Sequence, residues 1–224
     1  MTMMNLVLQG PKAEASTLEA IAALARPART LRLSAHALRC EDVAAGSEVV
    51  DAVQAAALAA QVDATFIEGG RTLADFSLVA MDMDSTLITI ECIDEIADMQ
   101  GLKAEVSEIT ESAMRGELDF AASLTRRVAL LKGLDASALE RVYEERLRLS
   151  PGAETMLAAV KAAGLKTLLV SGGFTFFTDR LKARLGLDYT HANLLEVEDG
   201  RLTGRVVGGI VDAEEKMRTV ERVC

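Results

Sequence analysis

Two aspartates, Asp82 and Asp84, stand one residue apart at the end of the apolar run Leu78-Val79-Ala80-Met81, with Ser85 and Thr86 directly after them. The run predicts a strand that buries Leu78 to Met81 and delivers both carboxylates at its carboxyl end, where open α/β sheets form their ligand crevice. Two acids this close repel each other unless a cation, a hydrogen-bond donor or a proton intervenes. A hard, oxygen-seeking ion such as Mg²⁺ meets that need and leaves one carboxylate free to attack a phosphorus atom. An isolated Asp-x-Asp is more often a strand-end turn with solvated acids, so its companions in the chain decide the reading.

Those companions are ordered for phosphate chemistry. Lys166 to Val170 form a short β-rich run, Ser171-Gly172-Gly173-Phe174 follow, and a helical pattern covers Thr175 to Leu185. A second strand thus ends in a hydroxyl and in backbone open enough for N–H groups to approach an oxyanion, and the start of the next helix favours negative charge. Lys216 falls in the first turns of a helix expected over Ala213 to Val223 and offers a compact positive charge. Singly, Ser-Gly-Gly reads as a helix-start turn and Lys216 as a solvated surface residue. As an ordered set they point to one centre.

Asp82-Met83-Asp84-Ser85-Thr86, Ser171-Gly172-Gly173-Phe174 and Lys216 resemble the first three motifs of the haloacid dehalogenase superfamily. Between them, Glu91-Cys92-Ile93-Asp94-Glu95-Ile96, Met114-Arg115-Gly116-Glu117-Leu118-Asp119-Phe120 and Ser123-Leu124-Thr125-Arg126-Arg127-Val128 resemble the phosphoserine phosphatase branch, and the likeness runs from about Leu78 to the last residue. The resemblance implies a Rossmann-like parallel sheet with a helical cap insertion. It also implies a Mg²⁺-dependent hydrolase that converts O-phospho-L-serine to L-serine and phosphate, the last step of serine biosynthesis. Carried over residue by residue, it makes Asp82 the nucleophile and Asp84 the general acid and base, with the metal on Asp82 and the backbone carbonyl of Asp84. Ser171, the Gly172 N–H and Lys216 would then meet the phosphate, Arg127 the substrate carboxylate and Glu91 its ammonium, while Phe120 lines the pocket. The family's fourth motif, Gly-Asp-Gly-x-x-Asp, does not occur in these residues. The expectation is therefore a core lacking its carboxyl-terminal part and a third acidic metal ligand, with impaired activity.

The elements that must position these groups are legible in outline. An insertion over about residues 92–149 reads as almost wholly helical. Within Asp119 to Lys132, Phe120, Leu124, Val128 and Leu131 recur at helical spacing behind Asp119 as N-cap, and are expected to make one buried face. Arg127 lies two turns beyond Phe120 on nearly the same side. On pattern alone Phe120 serves core packing as well as a pocket, Arg127 reads as part of a solvated face beside Arg126, and Glu91 reads as a helix-start acid favoured by the dipole. Asn193 to Val197, the turn Glu198-Asp199-Gly200-Arg201 and Leu202 to Val207 read as a hairpin.

Residues 1–75 have a different texture, which changes near Glu68-Gly69-Gly70-Arg71. A strand over Asn5 to Gln9, a helix over Ala15 to Ala25, a strand over Thr30 to Leu38 and an Ala-rich helix over Ser47 to Gln61 make a small α+β domain ahead of a phosphatase core at 76–224. That order resembles amino-acid-binding regulatory modules, but no ligand-specific residues stand out, and a packing or homodimerisation appendage is the simpler reading. A formal charge of −10 argues against nucleic acid and anionic membrane surfaces as partners. An anionic substrate must therefore find local positive charge, which singles out Lys216 and Arg127. Cys40, Cys92 and Cys224 form no C-x-x-C pair, no basic-then-apolar leader opens the chain and no run spans a bilayer, so a cytoplasmic protein with reduced thiols is expected. Two other functions stay open: a relative acting on another small amino-acid phosphate or passing the phosphoryl group to an alcohol, and a non-catalytic protein that binds an amino acid or a partner.

Overall fold

In the computed structural model, which describes residues 3–70 and 72–224, the chain divides into two compact units, Met1–Thr72 and Leu73–Cys224. The first is a βαββαβ unit: β1 (Met3–Gln9), α1 (Ala15–Leu24), β2 (Arg29–Ser34), β3 (Ala37–Ala44), α2 (Ser47–Ala59) and β4 (Asp63–Glu68). Its antiparallel sheet has the order β2-β3-β1-β4. Leu6 and Leu8 alternate inward from β1 and meet Leu18, Ile21, Cys40 and Val53 in a separate core. The single strand expected over Thr30 to Leu38 is instead a hairpin, β2 and β3, turning where the His36 N–H donates to Ser34 Oγ at 3.1 Å. Apolar alternation continues straight across this tight turn, so periodicity does not reveal it. The strand β4 pairs with β1 and is not among the elements expected from the sequence.

The second unit contains β5 (Leu78–Met81), α3 (Cys92–Asp98), α4 (Lys103–Met114), α5 (Phe120–Leu130), α6 (Ser137–Arg141), α7 (Ala153–Ala162), β6 (Lys166–Phe174), α8 (Thr175–Leu185), β7 (Tyr189–Glu198), β8 (Arg201–Val207) and α9 (Ala213–Val223). Its sheet runs β5-β6-β7-β8, parallel from β5 to β7 and closed by the antiparallel β7–β8 hairpin. This is the expected α/β sheet, with the expected helices inserted between its first two strands. Central β6 is buried on both faces, as parallel strands are. Leu169 enters the main core with Phe174, Phe177 and Leu181, while Leu168 and Val170 pack with Val211 beneath Val220 and Val223 of α9.

Two burial expectations fail for identifiable reasons. Leu78, Val79 and Met81 are half-buried and Ala80 is exposed, because among the described residues β5 pairs with β6 alone. On α5, Leu124, Val128 and Leu131 are buried, but Phe120 is 41% exposed. It is the first residue of the helix, directly after the N-cap Asp119, whose side chain accepts from Ala122 N at 2.7 Å. Its ring therefore projects past the end of the apolar stripe. The inserted helices are tied by Arg146, whose Nη1 reaches both Glu95 and Asp98 at 2.5 Å. Among the described residues no helix is long and apolar enough to cross a membrane.

Candidate active site

Beyond β5 the chain turns sharply. Asp82 stays extended, and its Oδ1 accepts from Met83 N at 2.8 Å. Asp84 is extended as well, and Ser85 then takes the left-handed conformation, φ 51°, ψ 16°, a strained choice for a residue other than glycine. The Ser85 N–H donates to Ile90 O at 3.1 Å and its hydroxyl to Glu91 Oε1 at 2.6 Å, so the turn and the start of α3 hold each other. The Asp84 side chain is aimed back into this corner, where Oδ1 accepts from the Cys92 N–H at 2.8 Å. Burial pushes the Asp84 carboxyl up to about 6; the Cys92 bond pulls the other way, and the charges of Glu91 and Asp82 add to the rise. Burial and the same carboxylate drive the Cys92 thiol well above its ordinary range.

The second strand arrives alongside. Buried Ser171 accepts from Gly173 N at 2.9 Å, and its hydroxyl lies 3.4 Å from Asp84 Oδ2. The two glycines are required by close approach. A Cβ at Gly173 would stand 2.5 Å from Asp84 Oδ2 and 2.7 Å from Met83 Cε, and one at Gly172 would stand 2.6 Å from the Phe120 ring. Asn193, buried on β7, fixes this loop by donating from Nδ2 to Gly172 O at 2.7 Å while its Oδ1 accepts from Val211 N at 2.8 Å. Val211 leads into Asp212, the N-cap of α9, whose carboxylate accepts from Glu215 N at 2.9 Å. From the first turn of that helix Lys216 Nζ donates to Asp82 Oδ2 at 2.5 Å.

One cavity of about 150 Å³ collects these groups. Asp82, Asp84, Ser171, Gly172, Gly173 and Lys216 line its floor, and Glu91, Phe120 and Arg127, with Ile93, Leu124 and Phe174, complete the wall. All eight side chains or backbone groups singled out from the sequence line this one space. Arg127 is partly withdrawn from water, which pulls its guanidinium below the ordinary arginine range against the opposing charges of Asp94, Glu91 and Asp84. Asn193, Asp212 and the Cys92 N–H are parts of the site that the motifs do not indicate. Asp212 is readable as an N-cap directly before the predicted helix, whereas nothing local marks Asn193 or the Cys92 N–H as ties.

Residues 79–224 match the family model of the haloacid dehalogenase-like hydrolases. The chain belongs to that family. It is 59% identical over 157 residues to a phosphoserine phosphatase of Polaromonas sp. (strain JS666), a match that takes in 68% of this chain and 66% of the relative's length. A haloacid dehalogenase family hydrolase from Salmonella enterica serovar Typhi superposes with a TM-score of 0.84 at 33% identity, covering 99% of this chain and 78% of that one. A phosphoserine phosphatase solved as an analogue of its phospho-aspartyl intermediate superposes with a TM-score of 0.62 at 41% identity, covering 66% and 70%.

The Gly173 contact makes a sharp test of the site. Gly173→Ala forces the Asp84 carboxylate aside while leaving every charge in place. Displacing a reacting group by an ångström is worth about 100-fold, so turnover at this site falls by about that factor, with parent-like circular dichroism and a thermal midpoint lowered by the contact with buried Met83. Gly209→Ala, where an added Cβ meets nothing within 4 Å, leaves the rate unchanged. Equal rates for Gly173→Ala and the parent would show that the carboxylate position is not critical.

Proposed function

We propose that the protein hydrolyses O-phospho-L-serine to L-serine and phosphate through an aspartyl-phosphate intermediate. The observation that carries this reading is the distribution of charge around one small cavity: the Asp82–Lys216 pair on the floor, Arg127 and Glu91 on the wall. A phosphomonoester group, a carboxylate and an ammonium on one short molecule match those groups in turn. The names of the similar proteins support the same substrate class, and free Cys40, Cys92 and Cys224 suit a reducing compartment such as the cytoplasm.

In this mechanism an Asp82 oxygen attacks phosphorus, an Asp82–phosphorus bond forms and the bond to the seryl oxygen breaks. Asp84 gives its proton to that oxygen as serine leaves, and burial, which raises its carboxyl to about 6, keeps a larger share of it protonated near neutral pH than an ordinary aspartate retains. The resulting Asp84 carboxylate takes a proton from water, whose oxygen attacks phosphorus and releases phosphate and the Asp82 carboxylate. Lys216, the Ser171 hydroxyl and the Gly172 N–H supply donors to the transferring group from fixed positions. Phe120 stands against Gly172 and helps exclude bulk water.

The floor also fits a hard divalent cation. Asp82, which lines the cavity with a side chain 42% exposed, would offer a carboxylate, and the backbone carbonyl of Asp84, which the family resemblance implies as a ligand, would offer a second oxygen. No cluster of three or more His, Cys, Asp or Glu stands ready for a metal among the described residues. Two protein oxygens, completed by substrate oxygens and water, nonetheless suit Mg²⁺, which favours few carboxylates and keeps several waters. When bound, the ion draws negative charge from the transferring phosphoryl group.

The direct test is Asp82→Asn, which preserves shape and removes the nucleophile. Phosphate release falls by more than about 1,000-fold, no acid-stable phosphoprotein accumulates, and the thermal midpoint stays near or above that of the parent. Sustained release by a contamination-free mutant would assign the attack to another group.

Asp84 sets the pH dependence. Its carboxyl is raised to about 6, so it holds its proton through the interval in which an ordinary aspartate has lost it. The serine-releasing step, which needs the acid, slows as pH rises through about 6; hydrolysis of the acyl phosphate, which needs the base, slows as pH falls through the same value. Rapid-quench measurement of the two half-reactions across about pH 5 to 8 separates them. Parallel pH profiles would remove Asp84 from one of its two roles.

Arg127 sets selectivity. Arg127→Ala raises KM for phosphoserine by about 30-fold or more, since loss of a desolvated charge partner is worth about 2–5 kcal/mol, and Arg127→Lys falls between it and the parent because a point charge replaces a planar fork. Phosphoethanolamine, which has no carboxylate, is nearly indifferent to either. Equal losses for both substrates would mean that Arg127 serves the phosphate or the fold.

A further inference from the structure

The helix α5 carries Phe120, Leu124 and Arg127 on the side that lines the cavity. Thr125 and Ala129 lie close to half a turn around the helix from Arg127, and the side they occupy meets β8. That meeting depends on a missing side chain. A Cβ at Gly204 of β8 would stand 3.0 Å from Lys132 Cβ, 3.2 Å from Ala129 O and 3.3 Å from Ala129 Cα. Toward the start of α5, Thr125 and Val128 instead border a second cavity, of about 300 Å³, together with Gly204, Val206 and Ile210. The helix therefore approaches the strand closely at Gly204 and leaves open space beside that contact.

Gly204 is held at that place from both flanks. The pairing of β7 with β8 is uneven: Leu195 faces Val206 and Val197 faces Leu202, so Glu196 alone stands opposite Thr203, Gly204 and Arg205. In this bulge Gly204 takes φ +81°, the left-handed region that favours glycine. Thr203 Oγ1 and Arg205 Nε both donate to Glu196 Oε2, each at 2.6 Å. Just beyond α5 the strand is stitched to the same stretch of chain, the Gly133 N–H donating to Leu202 O and the Leu202 N–H to Leu134 O, each at 2.8 Å. Leu202 is itself buried in the main core. Glycine inside a strand marks a bulge or a close backbone approach, and here it serves both.

We propose that Gly204 is a positioning residue for substrate selection: the bulge it occupies is the seat on which α5 rests, and its lack of a side chain sets where the Arg127 guanidinium stands at the cavity. A side chain at this position displaces the helix from behind. Ala129, at the contact, is two residues from Arg127, whereas Phe120 lies more than two turns away at the far end of the helix. A shift at the seat is therefore felt first by the fork that grips a carboxylate, whose two parallel bonds demand exact placement. Asp82, Asp84 and Lys216 stand on other elements and keep their geometry.

This inference rests on the phosphoserine reading, and binding measurements separate the two. In an Asp82→Asn background, calorimetry gives affinities for O-phosphoserine and for phosphoethanolamine with position 204 intact, with Gly204→Ala and with Gly200→Ala. Gly200 is the matched control, since it lies in the turn of the same hairpin at φ +76° and an added Cβ there meets nothing within 4 Å. Gly204→Ala weakens phosphoserine by about tenfold and phosphoethanolamine by less than about threefold. Gly200→Ala bears the same backbone strain and leaves both affinities within about twofold of the background. If Gly204→Ala does not fold, Glu196→Ala, which frees Thr203 and Arg205 and loosens the seat, narrows the same preference. A Gly204→Ala protein that prefers phosphoserine as strongly as its background, or loses both ligands equally, overturns the inference alone, as does equal loss of preference in Gly200→Ala. A background that binds the two ligands alike, or neither, overturns the carboxylate-reading role of Arg127 and this inference with it.

Discussion

The second unit is organised around the problem of keeping Asp82 and Asp84 side by side. Two carboxylates at the end of one strand repel, in a chain that already carries a formal charge of −10. The fold resolves the conflict differently for each. Lys216 comes from α9, at the far end of the sequence, to contact Asp82 directly. Asp84 is turned into a corner where the Cys92 N–H binds one oxygen, the Ser171 hydroxyl approaches the other, and burial favours the proton. The two carboxylates thus differ in surroundings because different elements reach them: α9 supplies a cation to Asp82, and the start of α3 and the end of β6 enclose Asp84.

Holding this arrangement requires backbone to come unusually close to side chains. Gly172 and Gly173 have no room for a Cβ because Phe120 closes on one and Asp84 with Met83 on the other. Asn193 sets the height of that loop and, through Val211, the starting point of α9. A single buried amide thus links the backbone that would meet a phosphate to the helix that carries Lys216. Buried side-chain amides with both ends satisfied specify geometry more than they add stability. Asn193 belongs to the positioning of the site for that reason, although it lines no part of the cavity.

The legible and illegible parts of the sequence divide along the same physical line. Asp82, Asp84, Ser171, Gly172 and Lys216 are recognisable because strand ends and helix starts are local patterns, and α8 and α9 fall on the residues predicted. The hairpin of β2 and β3 escapes detection because an apolar alternation that crosses a turn looks like one strand. Burial of Leu78 to Met81 is less than their hydrophobicity suggests, since hydrophobicity says nothing about whether a second strand pairs beside β5. Phe120 fits the α5 stripe by spacing, yet its position before the first full turn sends it to the cavity. Asn193 acts across long sequence separations, and no local pattern encodes that.

The sign of the cavity explains how an acidic protein can select an anionic ligand. Its lining includes three acids, Asp82, Asp84 and Glu91, against two bases, Lys216 and Arg127. With every group ionised the space repels a bare phosphate. A proton on Asp84 removes one negative charge next to the floor, and contact with Lys216 compensates another. What remains is Glu91, which accepts from the Ser85 hydroxyl, and Arg127, which feels the charges of Asp94, Glu91 and Asp84 but makes no ion pair among the described residues, both lining the cavity. A phosphate ester with no further charges leaves both in that state in a partly desolvated site, whereas one bearing an ammonium and a carboxylate satisfies each. Rejection of the wrong ligand then comes from charges left unpaired as much as from the bonds that the right one makes, and it weakens if the guanidinium is free to swing away from the wall.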